Sequence, residues 1–140
     1  MLKIGVVFGG KSSEHSISIM SGCSIAKNLN KLKYEVIPIY INKEGDWYEV
    51  LDDLANMPNY KLGEEPIKLK HIKNIIEFLK DLDCVFPVLR GKGGDDGSIQ
   101  GLLNFVDIPY VGCGILSSSV AMDKLYMKTR FLMITLSASA

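Results

Sequence analysis

Two short stretches of this chain carry residue types and spacings suited to chemistry. The first is Gly9-Gly10-Lys11-Ser12-Ser13-Glu14-His15-Ser16, in which a glycine pair precedes a polar cluster. A carboxylate placed there can cap a helix at the positive end of its dipole. At the mouth of a cleft the same Glu14 can orient an ammonium group, and both readings stay open. The second stretch is Leu89-Arg90-Gly91-Lys92-Gly93-Gly94-Asp95-Asp96-Gly97, a glycine-rich loop that opens on a permanently charged guanidinium. Arg90 can pair with Glu14, grip a substrate carboxylate through its paired N–H donors, or face solvent. Gly5-Val6-Val7-Phe8-Gly9-Gly10-Lys11-Ser12 also spells the GxxxxGK[ST] string of phosphate-binding loops. Its middle residues read as strand rather than as a loop free to wrap phosphates, so nucleotide binding by this string is not expected.

Other chemistries lack material. Cys23, Cys84 and Cys113 are far apart among apolar neighbours and read as small buried hydrophobes in a reducing compartment. With only His15 and His71 beside them, a histidine-based metal site is not expected. Lysine plus arginine equals aspartate plus glutamate at 16 each, so no long-range positive field collects nucleic acid or an anionic membrane surface. No apolar run approaches the roughly 20 residues that span a bilayer, and the expected location is the cytoplasm. At 140 residues, 47% hydrophobic and 23% charged, the chain suits one globular domain.

The elements that must position the two stretches follow from periodicity. Residues 3–8 are short, apolar and β-branched, which predicts a buried strand ending at Gly9-Gly10. Residues 16–32 have helical spacing, and 34–41 alternate as a second strand. A turn at 42–45 leads to a short return strand at 46–50, and 52–70 read as a loop. A helix is expected over 71–82, a strand over 84–89, a helix to 105 capped by Ser98, a short strand over 108–112 and a final helix over 117–133. This alternation predicts an α/β fold, doubly wound on a mainly parallel sheet with helices on both faces. Ligands bind such sheets beyond the carboxyl ends of the strands, where both glycine-rich loops should open.

The segments Phe8 to Ser18, Val85-Phe86-Pro87-Val88-Leu89, Gly94-Asp95-Asp96-Gly97-Ser98-Ile99-Gln100-Gly101, Ile108-Pro109-Tyr110-Val111-Gly112 and Met122-Asp123-Lys124 together resemble the D-alanine–D-alanine ligase family. Order and spacing match from near residue 3 to about Lys128. The resemblance implies a Rossmann-like amino-terminal domain that precedes two ATP-grasp domains. It also implies a cytoplasmic enzyme of peptidoglycan synthesis, commonly a homodimer, that uses ATP and magnesium. One D-alanine is activated as an acyl phosphate, and the amine of a second attacks it. On this resemblance Glu14 positions the ammonium of the first D-alanine, Arg90 and Gly91 belong to the loop that closes the substrate side, and Lys124 lies in a hinge strip toward the nucleotide.

Two departures stand out. Leu89-Arg90-Gly91 replaces the family's usual Leu-His-Gly, and Asp95-Asp96-Gly97 its Glu-Asp-Gly. The family also continues differently after Lys128, so residues 1–128 are expected to be the ligase domain and 129–140 a tail foreign to it, from truncation or a frameshift. Such a chain is expected to be inactive alone. The alternatives are a non-catalytic module for small-ligand binding or dimerisation, and a parent that joins D-alanine to D-serine or D-lactate.

Overall fold

The structure, a computed structural model, describes residues 1–54 and 57–138, with side chains as far as Leu132. Ten elements follow one another: β1 (Leu2–Gly9), α1 (His15–Asn28), β2 (Tyr34–Ile41), β3 (Trp47–Val50), β4 (Leu69–His71), α2 (Ile75–Lys80), β5 (Cys84–Pro87), α3 (Ser98–Phe105), α4 (Ile115–Met122) and α5 (Lys124–Ala138). One sheet runs in the order β4-β3-β2-β1-β5. Strands β2, β1 and β5 are parallel, whereas β3 and β4 fold back antiparallel at one edge, so the sheet is mixed.

Alternation along β1 divides the interior. Ile4, Val6 and Phe8 face the side covered by α1, where Ile19, Cys23 and Ala26 complete one core cluster. Val7 faces the other side, with Ile39, Leu79, Val85, Ile99 and Leu103 beneath α2 and α3. Both faces of the central strands are therefore covered, as their near-continuous apolar sequences require. Gly22 lets α1 approach closely, since a Cβ there would lie 2.4 Å from the Phe8 Cβ. Pro38 is accommodated in β2 because the β3 ladder begins only at Ile39.

Several expected boundaries shift for local reasons. Helix α1 stops at Asn28 because Asn30 organises a turn, accepting from Leu32 N through Oδ1 at 2.9 Å and from Lys33 N and Tyr34 N through its carbonyl. The stretch read as loop to residue 70 ends in β4, and that strand takes the first residue of the expected helix at 71–82. Helix α2 starts only at Ile75, after Asn74, whose Oδ1 accepts from Glu77 N at 3.3 Å. The strand expected over 108–112 reduces to a single parallel bridge between Tyr110 and Val85. The last expected helix is two: Asp123 breaks it and caps α5 by accepting from Tyr126 N at 2.9 Å. Ser98 does not cap α3; Gly97 occupies that place at φ +94°, and the Asp96 carboxylate accepts from Ser98 N instead. Cys23 is buried and Cys84 half-buried, but Cys113 is exposed, contrary to the reading of all three as buried hydrophobes. Helix α5 crosses the expected boundary at 128 without a break.

Candidate functional site

The carboxyl ends of β1 and β5 lie side by side, with Val7 opposite Pro87. The chain leaves both strands at that edge, so the loops over 9–14 and 88–97 face each other there. Between them is a cavity of about 480 Å³, lined by Gly9, Gly10, Lys11 and Ser12 from the first loop and by Arg90, Lys92, Gly93, Gly94 and Asp96 from the second. The β2–β3 turn adds Gly45 and the start of β3 adds Trp47, and Ile41 and Leu89 bring apolar side chains.

Two buried residues of the first turns of α1 hold these loops in place. The Ser18 hydroxyl accepts from Gly9 N at 2.8 Å and donates to the Val88 carbonyl at 2.7 Å, joining the ends of the two strands through one oxygen. His15, three residues earlier and only 2% exposed, donates from Nδ1 to the Gly10 carbonyl at 2.5 Å. Its Nε2 lies 3.2 Å from the Tyr40 hydroxyl and 3.5 Å from Glu65 Oε1. Tyr40 in turn donates to Glu65 Oε2 at 2.8 Å, and Lys43 Nζ is 3.7 Å from the same carboxylate. Burial first, then the hydrogen bond to Glu65 and its charge, push the Tyr40 hydroxyl well above the ordinary tyrosine range. Neither His15 nor Ser18 was a sequence candidate. The available signal was two polar residues on the face of α1 that otherwise carries Ile19 and Cys23.

Glu14 stands at the N-cap of α1 but makes no side-chain capping bond. Its carboxylate reaches across to the second loop, where Oε1 lies 3.7 Å from the place a Cβ would take on Gly91. Glycine at 91, at φ +69°, allows that approach and the contact with Ser12. The structure thus brings Glu14 and Gly91 together. Arg90 lines the cavity, yet among the described residues no ion pair joins it to Glu14. The second loop spends its own carboxylates on its own backbone: Asp95 accepts from Gly91 N at 2.9 Å, and Asp96 from Gly93 N at 2.8 Å and Ser98 N at 3.0 Å. Burial of Asp96 would raise its pKa, but these bonds outweigh it and hold the carboxyl below its usual range. Lys124 is exposed at the start of α5 and is absent from the cavity lining.

The donor sets present also bear on cofactors. Among the described residues no group of three or more His, Cys, Asp or Glu side chains is placed to hold a metal ion, so these side chains by themselves make up no metal cage. The phosphate-loop string does not fit either. Val6, Val7 and Phe8 are in β1, and the Gly9 and Gly10 amides are already bonded to Ser18 and to the Ile41 carbonyl.

Residues 3–113 match the family described as "D-ala D-ala ligase N-terminus". The chain belongs to this family. D-Alanine–D-alanine ligase B of Clostridium tetani (strain Massachusetts / E88) is 47% identical over 128 residues, which are 91% of this chain and 36% of that ligase. Among solved structures, the VanG D-Ala:D-Ser ligase from Enterococcus faecalis superposes with a TM-score of 0.74 at 36% identity, covering 89% of this chain and 39% of that one. D-Alanine–D-alanine ligase from Bacillus anthracis complexed with ATP gives 0.65 at 36% identity, over 92% and 36% of the two chains. The chain thus spans little more than a third of the length of these ligases. It carries the mixed α/β sheet of the family's amino-terminal domain, and among its described residues no helix is long and apolar enough to cross a membrane.

Proposed function

We propose that this chain forms the substrate-side domain of an ATP-dependent D-alanine–D-alanine ligase of peptidoglycan precursor synthesis, working in the cytoplasm. The observation that carries the reading is the Glu14 carboxylate. It is free of the capping bond its position would permit and is set against Gly91 where the two glycine-rich loops meet. A carboxylate so placed receives the ammonium of the first D-alanine by a charge-assisted hydrogen bond and fixes the direction of its carboxyl group. Ser18 and His15 act through the backbone, holding the loops that define the site. ATP would supply the phosphoryl group that activates the carboxyl, and magnesium and the nucleotide would be held outside these 140 residues, with Lys124 on the strip leading toward them. The second substrate stays open between D-alanine, D-serine and D-lactate, and residues 129–140 stand as a tail outside the ligase domain.

Calorimetric titration with D-alanine and L-alanine tests the reading. D-Alanine should bind in preference, and Glu14→Gln should weaken it about tenfold or more, as loss of a charged partner does. Equal heats for Glu14→Gln and the parent chain would remove Glu14 from the site. The chain by itself should release no phosphate from ATP in the presence of D-alanine and magnesium, since the metal-held triphosphate is not provided for here. We also propose a homodimer, supported by the exposed Phe105, Leu116, Leu125 and Phe131 of α3, α4 and α5. Sedimentation that gives a monomer mass at every concentration would contradict it.

A further inference from the structure

A neutral imidazole carries one proton and can place it on either nitrogen, according to the bonds the ring makes. For His15 the choice bears on the site. Its Nδ1 lies 2.5 Å from the Gly10 carbonyl, an oxygen that can only accept. With the proton on Nδ1, this contact holds the first glycine-rich loop. With the proton on Nε2, two lone pairs would meet across that gap, and Gly10 would be pushed away from α1. Glu14 lies on the same loop and directly precedes His15, so its carboxylate would move as well.

At the other nitrogen the ring meets two kinds of oxygen. Glu65 Oε1, at 3.5 Å, is an acceptor that by itself would draw the proton to Nε2. The Tyr40 hydroxyl, at 3.2 Å, can accept or donate. It is fixed in place, because Tyr40 is buried, meets the His15 ring edge-on at 5.7 Å and lies 2.8 Å from Glu65 Oε2. Against a neutral ring Tyr40 can turn its proton to Nε2, which leaves the single ring proton on Nδ1. Against a charged ring Nε2–H points at Tyr40 and Glu65, and Tyr40 donates to Glu65. Nδ1 keeps its proton in both cases. Other titratable groups stand farther off: Lys43 of the β2–β3 turn is 3.7 Å from Glu65, the charge of Glu44 in the same turn reaches Tyr40, and the Tyr48 ring of β3 is 6.3 Å from that of Tyr40. From β1 the neighbour of Tyr40 is the apolar Phe8. Among the described residues only Tyr40 offers Nε2 a proton.

We propose that Tyr40, which does not line the cavity, is a positioning residue for the site: its hydroxyl keeps a proton on His15 Nδ1 whether the ring is neutral or charged, so the loop carrying Glu14 stays in place as the pH changes. Removing the hydroxyl makes the anchor depend on pH. In Tyr40→Phe a charged ring still donates to Gly10, since both nitrogens carry protons. Once the ring loses one, Glu65 draws the remaining proton to Nε2 and the Gly10 bond is lost, so the loop loosens as pH rises. The link to D-alanine rests on the ligase reading of the site, whereas the link to the Gly10 carbonyl does not.

The chain has two histidines, His15 and the exposed His71, so labelling histidine with nitrogen-15 gives two sets of ring signals, and His71→Gln assigns them. Proton–nitrogen correlation spectra of the intact chain, taken from mildly acidic to mildly alkaline pH, read the tautomer and charge of His15. The carbonyl carbon shift of Gly10 and the calorimetric affinity for D-alanine read the loop. In the parent chain Nδ1 should be protonated at every pH and the Gly10 shift constant. Tyr40→Phe should match the parent where His15 is charged; where the ring is neutral, its proton should move to Nε2, the Gly10 shift should change and D-alanine affinity should fall about tenfold. Glu65→Ala keeps the hydroxyl and should keep Nδ1 protonated. A neutral His15 with its proton on Nε2 in the parent overturns the inference, whether or not the variants fold. So does a Tyr40→Phe chain whose Gly10 shift and affinity follow the parent's at all pH, or a Glu65→Ala chain that behaves as Tyr40→Phe is expected to. A parent that binds no D-alanine sinks the ligase reading, and the ring and carbonyl signals then decide this inference by themselves.

Discussion

Replacing Ser18 by alanine removes one oxygen and strands two buried backbone groups. The hydroxyl is fully buried, and both of its bonds are short, 2.8 Å from Gly9 N and 2.7 Å to the Val88 carbonyl. A buried donor or acceptor left without a partner costs about 1–3 kcal/mol. Gly9 and Val88 both lie in the buried layer, so water does not replace the lost oxygen cheaply. Taking the lower half of that range for each group gives a loss of about 2–4 kcal/mol, a large part of the roughly 5–15 kcal/mol typical of a domain. For a chain of this size that lowers the melting temperature by roughly 8–16 °C. Urea unfolding of Ser18→Ala beside Ser16→Ala measures it. Ser16 is half-buried on the same helix, and its removal should change stability by less than about 0.5 kcal/mol. A Ser18→Ala loss below about 1 kcal/mol would falsify the idea that one hydroxyl clasps the two strand ends.

Three further outcomes are expected. Gly22→Ala should destabilise by about 1–3 kcal/mol despite alanine's better helix propensity, because its Cβ would meet the Phe8 Cβ at 2.4 Å and force α1 off the sheet; calorimetric melting checks this. Asn74→Ala should lose about 1 kcal/mol by removing the cap of a six-residue helix, read as a lower urea midpoint at unchanged slope. Asp96 is held below its ordinary pKa, so its contribution is complete above the unfolded value of about 4 and disappears as pH falls through the lower folded value. Asp96→Asn should therefore flatten part of the acid limb of stability below about pH 4, and identical limbs for the two proteins would count against the loop's hydrogen bonds.

Much of this architecture was legible because burial on both faces leaves a plain mark. Strands β1, β2 and β5 read as apolar runs, and the turn at Gly45 announced the return strand β3. Strand β4 left no such mark. It is three residues long, with one half-buried side chain and two exposed, and it exists because β3 offers it a ladder. The break at Asp123 was hidden because apolar residues continue on both sides of it, and only the aspartate's capping bond separates α4 from α5. At the site, the meeting of the two glycine-rich loops followed from the rule for strand ends, and it placed Glu14 beside Gly91. The pairing of Arg90 with Glu14 did not follow: a shared edge fixes the loops, whereas the reach of a long side chain is set by its neighbours. Ser18 was unreadable for a different reason. Its partners lie 9 and 70 residues away, and a serine between apolar helix positions reads as a small spacer until the fold supplies them.

The placing of His15 and Ser18 three residues apart on α1 has a consequence for motion. Each glycine of the first loop is tethered to the opening of one helix, Gly10 through His15 and Gly9 through Ser18, and Ser18 also carries the start of the second loop. The first loop cannot swing outward by hinging at Gly9 and Gly10 while that part of the helix stays wound. Widening the cavity from the side of the first loop and fraying the start of α1 are then a single event, with the free-energy cost of a local unfolding rather than of a loop displacement. Ligand entry by way of the first loop would be timed by the helix, and the amide of Gly9, held by Ser18, would exchange with solvent when that turn frays, whereas the amide of Gly10 stays on the Ile41 carbonyl.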